Sequence, residues 1–153
     1  MLVTIALLSV YFTSPRLFRY QGRIFDTRSW TGMSVHATGD EIRQAIGPMA
    51  DGDVVATLSP LYVMETGLPI LPEFATGPFL FRVGDLITEE QRRNYGATSA
   101  SDIGGLLEKT RPKAILVGFE PECESPLIEY AKENGYTRVD KDFQGGTLYV
   151  RQP

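Results

Sequence analysis

Asp53-VVATL-Ser59 is a short, continuous apolar run rich in β-branched residues, and the spacing that leads from it decides the fold. Such a run suits a central strand covered on both faces. It passes directly into Ser59-PLYVMETGLPILPEFATGPFLF-Arg82, which has four prolines (Pro60, Pro69, Pro72, Pro78), two glycines (Gly67, Gly77) and only three charges (Glu65, Glu73, Arg82). An apolar segment interrupted this often packs against something, yet it cannot form one long helix or strand. Irregular packed backbone needs specific hydrogen-bond partners, so the segment is either a rigid connection or a binding loop.

Working outward, Ser59-Pro60 reads as N-cap and first helical residue with Gly67 as the stop. A short strand over Leu68–Leu71 and a short helix opened by Gly77-Pro78 are expected next. Thr88-Glu-Glu-Gln91 fits a capping box and predicts a helix over about 89–95. Ser99 or Ser101 starts another helix, with Ile103, Leu106 and Leu107 as its apolar stripe. Ala114-ILVGF-Glu120 is the second buried-strand candidate. Ser125-Pro126 repeats the helix-start signature, and Gly135 ends that helix. Tyr136–Val139 and Thr147–Arg151 then read as two strands joined through Gln144-Gly145-Gly146. Upstream, Ile42, Ala45, Ile46 and Met49 recur at helical spacing, with a start expected at Thr38 or Gly39-Asp40 and an end at Gly47-Pro48. Strands alternating with helices predict an α/β fold: a small Rossmann-like sheet, mainly parallel, with an antiparallel edge hairpin at the C-terminus.

The 153 residues suffice for one domain with a single core. The net charge of −4 argues against nucleic acid as the main partner. The charge is uneven: residues 13–30 carry Arg16, Arg19, Arg23 and Arg28 against Asp26, a net of +3, which leaves −7 on residues 31–153. A basic collar joined to an acidic domain is a juxtamembrane pattern. Before it, Met1-LVTIALLSVY-Phe12 is apolar but shorter than the roughly 20 residues that span a bilayer. It also lacks the basic start and small-residue cleavage site of a signal peptide. Three readings stay open: the end of a transmembrane helix, a buried strand or helix of the domain, or an atypical signal or short anchor. The expected organisation is an apolar segment at 1–15, a basic connector at 16–37 and an α/β domain at 38–153.

Nucleotide and nucleophile signatures do not occur. No Gly-x-Gly-x-x-Gly follows either strand run, and no phosphate loop or Gly-x-Ser-x-Gly elbow is present. One cysteine, Cys123, excludes an intrachain disulfide, and its neighbours Glu122 and Glu124 disfavour a thiolate. One histidine, His36, leaves no metal set in sight, so neither metal nor cofactor is expected and no catalytic residue is assigned. Glu65 and Glu73 are candidates for an acid/base pair, although the plainer reading has Glu73 meet backbone amides or Arg82. Phe74, Phe79 and Phe81 are expected in the core.

The run Gly52-DVVATLSPLYVMETGLPILPEFATGPFLFR-Val83 resembles the carboxy-terminal soluble domain of bacterial multi-pass glycosyltransferases. These are the lipid-linked-sugar-dependent enzymes of the dolichyl-phosphate-mannose protein mannosyltransferase type. Further points of likeness are Trp30-Thr-Gly32, Val35-His36, Arg111-Pro112-Lys-Ala-Ile-Leu-Val-Gly118 and Leu148-Tyr-Val-Arg151, so that roughly residues 28–152 are covered. The resemblance rests on overall pattern rather than a catalytic signature. It implies a non-catalytic extramembrane domain on the periplasmic or external face, with a structural or acceptor-binding role. Its implied partners are the membrane and a lipid-linked sugar or acceptor. In that family the sugar-transfer machinery lies in the transmembrane part and the catalytic acidic residue in the first external loop, neither of which these residues include, so no catalytic residue carries over. The arginine collar by itself favours the cytoplasmic side, but a long folded domain translocates despite such charges. Substrate-binding candidates are Glu73, Thr76 and Arg82. The alternative is a self-contained soluble α/β enzyme or small-ligand-binding protein, and a third reading is an interaction module without a ligand.

Overall fold

The computed structural model describes Asp26 and residues 30–152. The apolar segment 1–15 and most of the basic connector therefore lie outside the described residues. The chain divides into two compact units, Met1–Val35 and His36–Pro153, and the sheet belongs to the second. Among the described residues, no helix is long and apolar enough to cross a membrane.

The described elements run in the order α1 (Thr31–Ile46), β1 (Val55–Thr57), α2 (Pro60–Thr66), a 3-10 turn (Pro72–Phe74), α3 (Pro78–Val83), a second 3-10 turn (Gly84–Leu86), α4 (Glu89–Tyr95), α5 (Ile103–Thr110), β2 (Ala114–Val117), α6 (Ser125–Glu133), β3 (Tyr136–Arg138) and β4 (Thr147–Arg151). The chain is thus α/β, with one four-stranded mixed sheet of order β1-β2-β4-β3. β1 and β2 are parallel, whereas β2–β4 and β3–β4 are antiparallel. The C-terminal hairpin is present, with β3 outermost and β4 inserted beside β2. Leu68–Leu71, expected as a strand, contributes one parallel bridge, Ile70 to Val55. Pro69 and Pro72 leave too few amide donors there for a longer ladder.

Helix α1 starts at Thr31, seven residues before the expected Thr38, so the end of the expected connector is helical. Polar and small residues dilute the apolar spacing over that first part, which hid it from a periodicity argument. Elsewhere the local signals hold in part: α5 starts at Ile103 with Asp102 as N-cap rather than at Ser99 or Ser101, and Ser59 stands at the N-cap of α2 without a side-chain bond. Gly67 ends α2 in the left-handed conformation, and Thr88 and Gln91 form both bonds of the capping box of α4. Helix α6 begins at Ser125 itself, with Glu124 as N-cap.

Alternate residues of each strand feed opposite faces of the sheet. On one face Ala56, Ile115, Val117 and Tyr149 pack with Phe74, Phe81, Ile103, Leu107 and Leu127. On the other, Val55, Ala114, Leu116 and Leu148 pack with Ile42, Ile46, Val63 and Phe143. All three residues of β1 and all four of β2 are buried, as the continuous apolar runs require.

Candidate functional site

The carboxyl ends of β1 and β2 are where an open α/β sheet usually receives a ligand. Here protein fills that position. The Tyr62 ring, on the helix leaving β1, stacks on Phe119, in the loop leaving β2, with centroids 4.4 Å apart. Gly118 has φ +108°, and a β-carbon there would sit 2.6 Å from the Gly145 carbonyl oxygen. The β3–β4 turn therefore presses directly on the end of β2. Beneath this loop Glu124 is fully buried and accepts a 2.6 Å hydrogen bond from the Gly118 N–H. Burial raises its pKa above the ordinary glutamate value, and backbone N–H groups, Gly118 first, oppose that rise. Ser59-Pro60 accordingly starts α2, whereas Glu120-Pro121 belongs to the turn that precedes α6.

The more open concavity lies further along the segment that opened the sequence reading. A cleft of about 410 Å³ is lined by Glu73, Arg92, Asp102, Gly105, Leu106 and Lys109, among others. Glu73 comes from the 3-10 turn Pro72–Phe74, Arg92 from α4, and the rest from the start and exposed side of α5. Arg92 organises the cleft. Its Nη1 donates to the carbonyls of Gly84 and Ile87, each at 2.8 Å, and its Nη2 lies 2.8 Å from Asp102 Oδ2. The side chain is only 15% exposed, and its Nε has no partner among the described residues. Glu73 Oε2 is likewise buried without a hydrogen bond. Arg93, also in the cleft wall, is tied to Glu89 at 2.8 Å.

Gly84 lets the second 3-10 turn close on the chain between α4 and α5. A β-carbon at this position would lie 2.7 Å from both Ser99 Cβ and the Thr98 carbonyl oxygen. In the same junction Ser101 donates to Asp85 at 2.5 Å, and this bond, followed by one from Ser99, lowers the Asp85 pKa.

The three residues singled out in the sequence are not brought together. Glu73 lines this cleft. Arg82 lines a second one of about 390 Å³ with Phe81, Asp85, Glu122 and Cys123, and pairs with Glu120 at 3.0 Å and Glu122 at 3.8 Å. Thr76 is exposed and lines neither. The expected Glu73–Arg82 contact is therefore not formed. Nor do Glu65 and Glu73 make an acid/base pair: Glu65 faces His36 on α1, with Oε2 3.3 Å from Nδ1. Phe74 and Phe81 are core residues, but Phe79 is 77% exposed, contrary to expectation. A six-residue helix anchored by its buried Pro78 and Phe81 turns the intervening side chain outward.

Arg92, Asp102 and Lys109 were not flagged by the sequence. The capping box placed α4 correctly, but nothing local distinguishes a buried arginine on it from an exposed one.

No family model, no curated protein and no solved structure matches the chain.

Proposed function

We propose that the chain is an extramembrane domain of a membrane glycosyltransferase that uses a lipid-linked sugar donor. By itself the domain is non-catalytic, and it is seated on the membrane portion, on the external face, through residues 61–86. The observation that carries this reading is the run of exposed large apolar side chains in that segment. Leu61 and Met64 on α2 are 55% and 64% exposed, and Phe79 and Leu86 are 77% and 84% exposed. Leu61 and Met64 are three residues apart and Phe79 and Val83 four apart, so each pair shares one side of its helix. The two helices also spring from one place: a β-carbon at Gly77 would lie 3.1 Å from the Leu58 carbonyl oxygen and 3.5 Å from Pro60. Large apolar side chains concentrated on one short segment mark a protein or membrane contact rather than a solvated surface. The likeness of Gly52–Val83 to the glycosyltransferase domain supplies the chemical class.

Two measurements test it. Single cysteines replace Phe79, Leu86 and, as a solvated control, Glu108, each in a Cys123→Ser chain bound to membranes. Positions 79 and 86 should react with a water-soluble maleimide several-fold more slowly than position 108, and the protection should vanish in detergent. Equal rates at all three positions remove the seat. Separately, the coding DNA upstream of Met1 should contain in-frame hydrophobic segments, and an in-frame stop directly upstream overturns the membrane-enzyme reading. A second reading, a small-ligand-binding α/β protein, is favoured by the cleft at Glu73.

A further inference from the structure

At the end of the sheet opposite Gly118, two arginines gather around two buried tyrosines. A cleft of about 250 Å³ there is lined by Arg111, Tyr130, Asn134, Tyr136 and Arg151, with no carboxylate in its wall. The backbone fixes these groups close to one another. Arg111 caps α5 just before β2, and its N–H donates to the Leu107 carbonyl at 2.8 Å. The same carbonyl accepts from the Tyr130 hydroxyl at 2.9 Å. The Tyr136 hydroxyl donates to the carbonyl of Pro112, the residue after Arg111, at 2.6 Å. Arg151 stands directly opposite Tyr136 in the β3–β4 ladder, where paired side chains are neighbours on one face. Its own N–H donates to the Lys113 carbonyl at 2.9 Å.

Both guanidiniums act on both rings. Burial raises the two phenol pKa values, and Arg111 and Arg151 each oppose that rise at Tyr130 and at Tyr136. Two like charges held at one cleft repel unless an anion lies between them. Arg111 is exposed, and its side chain makes no hydrogen bond or ion pair among the described residues. Arg151 gives Nη2 to Asp53 at 3.3 Å, which leaves Nη1 and Nε–H open. Asp53 offsets part of that charge, and Lys113 adds to it with its Nζ 3.5 Å from the Arg151 carbonyl. Glu108, the other acidic neighbour, acts on Tyr130 without lining the cleft. Each phenol proton is spent on a carbonyl, so the tyrosines form the frame and the guanidiniums are the donors. Asn134 adds one more, the second N–H of an amide whose first meets the Tyr130 carbonyl at 3.0 Å.

The backbone at Arg111 is unusual as well. Its φ is +42°, at a position where α2 and α4 end on Gly67 and Gly96. Glycine adopts this left-handed conformation without steric penalty, so a helix stop alone would favour glycine here.

We infer that this cleft binds a phosphate monoester, its phosphoryl oxygens held between the guanidiniums of Arg111 and Arg151 with the Asn134 amide beside them. A guanidinium fork suits phosphoryl or carboxylate oxygens equally well. One carboxylate cancels only one guanidinium, whereas a phosphate monoester carries about −1.5 to −2 charges at pH 7 and matches both. A cleft smaller than the roughly 300–1,000 Å³ of drug-sized ligand sites also fits so compact a group. The inference needs neither the membrane seat nor the cleft at Glu73.

Amide NMR titrations of the full chain at low salt, with methyl phosphate, dimethyl phosphate and acetate, test it. Methyl phosphate should shift the Arg111, Asn134 and Arg151 amides saturably, and should bind several-fold more tightly than either monoanion. Arg111→Gly removes the guanidinium and relaxes the left-handed position. It should keep or raise the urea midpoint while weakening binding about tenfold or more. Lys141→Gln removes an equal charge, one paired with Glu41 at the far end of the sheet, and should leave binding unchanged. No saturable shift overturns the inference, as does equal or tighter binding of dimethyl phosphate or acetate. Unchanged binding in Arg111→Gly, or equal losses in the two variants, overturns it too. Glycerol phosphate and phosphatidylcholine vesicles containing phosphatidic acid then separate the sources of the group. Arg111-dependent binding of the first marks a free phosphate ester, of the vesicles alone a lipid headgroup, and the inference fails if neither binds. None of these outcomes bears on the maleimide protection at positions 79 and 86, so the two proposals fail separately.

Discussion

Replacing Gly118 by alanine probes the contact that closes the carboxyl end of the sheet. Gly118 follows β2 with φ +108°, a conformation that costs an L-residue about 1–3 kcal/mol. The new β-carbon would also stand 2.6 Å from the Gly145 carbonyl oxygen and 3.1 Å from Gly146 Cα. Both are backbone atoms of the β3–β4 turn and cannot rotate away, so overlap adds about 1–3 kcal/mol of displacement. The total is about 2–6 kcal/mol. Gly135 is the matched control: its φ is +73°, with nothing within 4 Å of the β-carbon position. Gly135→Ala should therefore cost only the conformational part, about 1–2 kcal/mol. With a urea slope of about 1–3 kcal/mol per molar, the two midpoints should separate by about 1 M. Urea unfolding followed by circular dichroism measures both. Equal midpoint shifts would refute the reasoning, because they would mean that the turn does not press on the end of β2.

Three other outcomes follow from the packing and the buried ionisable groups. Phe74→Ala removes a fully buried ring that meets Phe81 edge-on at 6.4 Å, and should cost about 3–5 kcal/mol by urea unfolding. Burial pushes the Tyr136 phenol up to about 12 while its hydroxyl donates to the Pro112 carbonyl at 2.6 Å. The unfolded chain loses this proton near pH 10 and the folded chain only near 12, so stability should fall across that window. Tyr136→Phe should flatten the fall, and should delete one late component from the phenolate absorbance titration of the seven tyrosines. Glu124 has the same sign at lower pH: its raised pKa makes the folded state hold a proton that the unfolded chain has released, so stability is lost as pH rises from the ordinary glutamate value through the folded one. Glu124→Gln should gain on the natural chain over that rise in parallel urea titrations, and a pH-independent difference would contradict the assignment.

Much of the fold was legible because its signals are local. The buried runs at Val55 and Ala114, the prolines and glycines bounding α2 and α3, and the capping box at Thr88 each act over a few residues through φ restriction, missing donors or a side-chain bond to a nearby amide. The misreadings have equally local causes. Helix α1 was started late because its first turns lack an apolar stripe, and Phe79 was placed inside because composition does not reveal which side of a one-and-a-half-turn helix is covered. Glu73 was picked out from the sequence as a polar residue in an apolar segment. Its companions in the cleft were not.

The sequence by itself determined the α/β class, the two central strands, the C-terminal hairpin and the unusual character of residues 59–82. Only the tertiary structure decided where the polar groups of that segment go. Arg82 pairs with Glu120, 38 positions away, and Glu73 faces α4 and α5 rather than Arg82. A cap or a turn is set by a residue's own neighbours, so its energy is readable in order along the chain. A cleft is set by which helices pack side by side. Here that depends on Gly84 letting the chain at Thr98 and Ser99 approach, and on Arg92 spending its terminal nitrogens on two carbonyls and Asp102. The two unpartnered atoms left behind exist only in the folded arrangement.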